Sequence, residues 1–159
     1  MRAKKLNLLL AKRNYTIAAA ESCTGGLFTS KIIDVSGSSG VINSSIITYS
    51  NEAKIKYAGV NKDTLKEHGA VSEQTVGEMA RGIAKECSAN VGVAISGIAG
   101  PTGGTEEKPV GLMYSTIYTE KTSKTYKIQL NPNLSRLEIK TRFVNEVLKN
   151  IYKFLNQKE

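Results

Sequence analysis

Apolar positions fall along this chain in two alternating rhythms. Residues 16–20, "TIAAA", and 91–95, "VGVAI", are short continuous apolar runs that read as strands buried on both faces. Residues 41–50, "VINSSIITYS", are rich in β-branched side chains and read as a third strand. Between these runs the spacing lengthens to a helical period. Residues 6–13 and 25–34 read as helices, the second closed by the loop "VSGSSG", and a short helix is expected over 52–58. Ser72 can cap a helix that places Val76, Met79, Ala80, Ile83, Ala84 and Cys87 on one face. Residues 110–118 and 125–130 pair as a hairpin. Ser135-Arg136-Leu137-Glu138 is a capping box, opening a last helix with Val144, Val147, Leu148, Ile151 and Leu155 on one stripe. Strands alternating with helices predict a layered α/β domain, and the late hairpin makes its sheet mixed.

Composition narrows this only a little. A chain of 159 residues is the size of one domain, by the prior of roughly 100–200 residues per domain, so one domain over 1–159 is expected. No apolar run approaches the ~20 residues of a membrane span, and the basic start "MRAKKLNLLLAKR" reads as an amphipathic helix rather than a leader. The two cysteines, Cys23 and Cys87, lack motif spacing, which points to reduced thiols and a cytoplasmic protein. A net charge of +8 raises the question of nucleic acid. The basic residues are dispersed, however, without zinc-finger spacing or an RNP-like segment. The charge therefore fits a solvated lysine-rich surface that favours small anions.

The candidate chemistry sits where strands end. Open α/β sheets bind ligands beyond the carboxyl ends of their strands. The first exit is "AESCTGG", with Ser22, Cys23, Thr24, Gly25 and Gly26 at a strand-to-helix corner. Ser22 or Thr24 can simply cap the helix there. Alternatively, the corner presents a nucleophile beside outward-pointing N–H groups that would accept a carbonyl oxygen or an anion. The second exit is "YSNEAK", with Tyr49 and, a helical turn later, Lys54. A serine nucleophile needs a base. His68, the single histidine, sits before Gly69 at an expected helix end and suits a turn better than a triad. A lysine made neutral by burial can serve instead, although most lysines are merely solvated. The third exit, "SGIAGPTGGTEEKPVG", contains Ser96, Gly97, Gly100, Gly103 and Gly104. It matches neither Walker nor GxGxxG spacing. It is either a mobile surface loop or a set of N–H groups for a phosphate or carboxylate.

Taken in order, "AESCTGG", "TYSNEAK", "GVNKDTLKEHGAVSE" and "SGIAGPTGGTEEKPVG" resemble the CinA C-terminal domain family, over nearly the whole chain. Its enzymatically defined members are nicotinamide mononucleotide deamidases. The resemblance implies a three-layer α/β/α domain around a mixed, mostly parallel five-stranded sheet. It also implies a Ser–Lys amidohydrolase acting on a small nucleotide, with no cofactor and no metal. By motif, Ser22 is the nucleophile, Lys54 the base and Tyr49 an aid to proton transfer, while Ser96 is part of the hydrogen-bond network. Thr24, Gly25, Gly26 and the loop glycines would line the substrate, with an oxyanion held by N–H groups around Thr24–Gly26. Arg136 of "LSRLEIK" would grip the phosphate, with Lys140 in place of a second family arginine. Homodimers or larger homo-oligomers are implied as well. Two rival expectations stand beside this: a family member that binds ligand without turnover, and a nucleic-acid-associated protein. Cys23 is a rival nucleophile whose side chain should point away from that of Ser22.

Overall fold

The computed structural model describes residues 1–157, so the expected domain of 1–159 runs two residues past the described part. Five strands form one sheet: β1 (Ile17–Glu21), β2 (Ile42–Ile47), β3 (Val91–Gly97), β4 (Leu112–Tyr118) and β5 (Ser123–Gln129), in the order β2-β1-β3-β4-β5. β1 pairs in parallel with β2 and β3, while β4 pairs antiparallel with β3 and β5. Four of the five strands therefore run the same way, and the three parallel strands share one carboxyl edge. This is the α/β fold with a mixed sheet that the sequence implies.

Strand side chains alternate between two helical layers. Ile17 and Ala19 join Val93, Ile95, Met113 and Ile117 under α1 (Arg2–Lys12), α2 (Leu27–Ile33) and α6 (Arg136–Asn156). Ala18, Ala20 and Ala94 face α3 (Asn51–Ala58), α4 (Lys62–His68) and α5 (Glu73–Glu86). The second face is close-packed because it is made of small residues. A Cβ at Gly92 would overlap the Ala80 carbonyl oxygen, and one at Gly82 would overlap that of Ala58, so both glycines are needed for α5 to lie where it does.

Several boundaries differ from the sequence expectation. α1 begins at Arg2 rather than at residue 6, because its first turn is polar and carries no apolar period. α2 begins at Leu27 rather than at 25, since Gly25 (φ 57°) and Gly26 (φ 94°) are left-handed. β2 ends at Ile47 rather than at residue 50, and the hairpin strands are Leu112–Tyr118 and Ser123–Gln129. α4 is an added helix. Only its C-terminal glycine was legible, because Leu65 is its single buried residue.

Candidate active site

Ser22 leaves the sheet at the end of β1, where its N–H donates to the Ile95 carbonyl (2.9 Å). The preceding residue organises the corner. Glu21 is fully buried, and its carboxylate accepts from the N–H of Gly26 (3.0 Å), Phe28 (3.1 Å) and Thr29 (2.8 Å). It also accepts from the hydroxyls of Thr24 (2.6 Å) and Thr29 (2.6 Å). The orphan amides at the start of α2 are thus satisfied by an internal anion. This corrects the expectation that they face a ligand. The Gly25 N–H turns back to the Ser22 carbonyl (3.1 Å), so it too is engaged. Among the described residues, the N–H groups of Cys23 and Thr24 alone make no hydrogen bond to another residue in this corner. The signal for Glu21 lay in "IAAAE": a carboxylate closing a fully buried strand must have partners, and the next turn supplies them.

Lys54 reaches Ser22 from the other helical layer. The Ser50 hydroxyl caps α3 by accepting from the Ala53 N–H (3.0 Å), which sets the helix so that Lys54 points back across the strand ends. Its side chain is 1% exposed. Nζ lies 3.2 Å from Ser22 Oγ, 2.8 Å from the Thr48 carbonyl and 3.3 Å from the Tyr49 carbonyl. None of these partners is a carboxylate, and burial holds the amine below its ordinary value of 10.5. In the neutral amine the two carbonyls occupy both N–H groups, which leaves the lone pair facing the Ser22 hydroxyl. Cys23, next in the chain, lies in the opposite apolar layer. Burial pushes its thiol up to about 12, an effect that its own backbone N–H, Arg136 and Lys140 oppose and that Glu21 adds to. The thiol is therefore protonated at neutral pH and a poor nucleophile.

The remaining candidates divide between site and scaffold. Tyr49 meets Lys54 through its carbonyl, while its ring is 63% exposed and its hydroxyl accepts from Arg136 (3.3 Å). The other guanidinium nitrogen donates to the Gly100 carbonyl (2.7 Å), so Arg136 ties the second strand exit to the third with two of its five N–H groups. Lys140 stands beside the Ser22 corner: a Cβ on Gly25 would be 3.7 Å from its Nζ. Ser96 is the next residue in register beside Ser22, but its hydroxyl donates to the Ala70 carbonyl (2.7 Å) rather than to Ser22 or Lys54. Gly97 allows β3 to approach the Leu112 carbonyl, and Gly100 and Gly104 pack against Val110. Gly103 and Gly104 are exposed, and only at Gly103 would a Cβ meet nothing.

This arrangement has relatives. The CinA C-terminal domain family matches residues 1–155. A CinA-like protein of Kosmotoga olearia is 54% identical over 129 residues, which are 81% of this chain and 31% of that protein. Among solved structures, the competence/damage inducible protein CihA from Agrobacterium tumefaciens superposes with a TM-score of 0.94 at 36% identity, covering 98% of this chain and 94% of that one. A competence-damaged protein (CinA) superfamily protein from Klebsiella pneumoniae superposes at 0.92 with 27% identity, covering 97% and 95%. The chain spans about a third of the length of the curated relatives it matches.

Proposed function

This chain belongs to the CinA C-terminal domain family, and from that membership we propose that it hydrolyses the carboxamide of nicotinamide mononucleotide. The products are nicotinate mononucleotide and ammonia, a step of pyridine nucleotide salvage. The observation that carries the reading is the Lys54 amine, buried without a carboxylate partner and 3.2 Å from Ser22 Oγ. Neutral Nζ takes the Ser22 proton as Oγ bonds to the carboxamide carbon. The proton passes to the amide nitrogen, the C–N bond breaks, and ammonia leaves. Water then adds to the ester carbon. Its proton returns through Nζ to Ser22 Oγ, and the carboxylate is released.

The free N–H groups of Cys23 and Thr24 suit the developing oxyanion, where one such donor is worth about 3–4 kcal/mol. The three uncommitted N–H groups of Arg136, with Lys140 nearby, suit the phosphate. Ammonia release from nicotinamide mononucleotide tests the reading. The unmodified chain is expected to turn over. Arg136→Ala should lower kcat/KM by about 1.5–3 kcal/mol on this substrate, the worth of a charged hydrogen bond, and hardly affect nicotinamide riboside. No ammonia from the unmodified chain would leave a nucleotide-binding protein without turnover.

A further inference from the structure

A cleft lies at the other pole of the sheet, away from Ser22. It encloses about 750 Å³ between the β4–β5 hairpin tip, the second half of α5, the link from α1 to β1 and the end of α6. That volume is the size of a small-molecule site. Its lining includes Arg13, Arg81, Lys85 and Lys124, all exposed, against a single carboxylate among the described residues, Glu120. Among the described residues none of these four cations forms an ion pair, and their side chains donate no hydrogen bond to protein. Two of them instead rest on rings that also line the cleft: Arg81 is 5.8 Å from the Tyr118 centroid and Arg13 is 6.0 Å from that of Tyr15. Such a contact fixes a guanidinium without neutralising it, and leaves its N–H edge for an oxyanion.

Helix ends account for part of this charge. Arg13 is the C-cap of α1 and Lys85 lies in the last turn of α5, where cations offset the helix dipole. Arg81 lies earlier in α5 and Lys124 on β5, so neither answers a helix end. An open cleft that gathers these cations beside tyrosine rings matches a ligand that carries both a phosphate and a flat ring. We propose that this cleft is a second nucleotide site, separate from the Ser22 edge and independent of the hydrolytic reading. β1 and β3 run from it directly to Ser22 and Ser96. At the cleft end they are clamped by Asn90 Oδ1, which accepts from the Thr16 N–H (2.8 Å).

The test is an NMR titration of the 15N-labelled full chain with ADP, repeated with adenosine and with inorganic pyrophosphate. ADP should shift the amides of residues 88–90 and 118–124. Adenosine and pyrophosphate should each bind at least ten times more weakly, because each carries half of what the cleft recognises. Arg81→Glu and Lys124→Glu should each raise the Kd for ADP at least tenfold. Arg81→Gln and Lys124→Gln serve as the milder pair should charge reversal disturb folding. The proposal is overturned by shifts confined to the Ser22–Arg136 edge, by an unchanged Kd in these variants, or by pyrophosphate binding as tightly as ADP.

Discussion

In the proposed reaction Lys54 is the base because its surroundings oppose its charge. Its pKa is held below 10.5 by burial, which outweighs the opposing effect of nearby Cys23. The unfolded chain, in which the lysine is solvated, binds the proton more readily, so folding is penalised below the folded-state pKa. The penalty is relieved as pH rises from that value towards 10.5. Lys54→Met removes the group that carries it. The Tm of the variant relative to the unmodified protein should therefore shift in the variant's favour as pH falls from 10 to 7, as thermal melts at both values would reveal. A pH-independent difference would mean that the amine is solvated and not available as a neutral base.

At the scale of the element, Glu21 makes the strand-to-helix corner a fixed object. Its carboxylate serves three amides of the α2 N-terminus and two threonine hydroxyls from a fully buried position. Glu21→Ala would orphan these donors, at a cost of about 3 kcal/mol or more. That corresponds to a fall in Tm of roughly 6–12 °C for a domain of this size, measurable by calorimetry. An unchanged Tm would show that water satisfies the corner as well as the carboxylate does. Glu21 also shows where sequence reading stops. The strands "TIAAA" and "VGVAI", the apolar face of α5 and the capping box of α6 announce themselves by period and by cap. α4 does not, because "KDTLKEH" buries only Leu65. The sequence placed Ser22, Tyr49 and Lys54 at strand exits. The direction of the Lys54 side chain depends on contacts between layers that no local pattern records. The partners of Glu21 are local, and the buried strand end signals that it needs donors without saying which of the following amides it takes.

At the scale of the molecule, one sheet serves two apolar layers. Phe143 and Met79 are fully buried on opposite sides of it, in separate clusters. Phe143→Ala and Met79→Ala should each destabilise by about 2–5 kcal/mol. Because β1 and β3 contribute to both layers, each variant should lower the same single calorimetric transition. Two separable transitions would mean that the layers fold independently. No described helix is long and apolar enough to cross a membrane. The chain divides its polar features between two ends: the Ser22 edge, where three strands deliver their exits to Lys54 and Arg136, and the basic cleft at the opposite pole.

The central claim is that Ser22, and not the neighbouring thiol, takes the acyl group. The direct measurement is the mass of the protein acid-quenched during turnover of nicotinamide mononucleotide, followed by peptide mapping. The account predicts a nicotinoyl-nucleotide ester on Ser22, lost in Ser22→Ala and retained in Cys23→Ala, with ammonia release following the same pattern. Ser22→Ala should lose several orders of magnitude in rate, as removal of a serine hydrolase nucleophile does. An adduct on Cys23, or full turnover by Ser22→Ala, would contradict it.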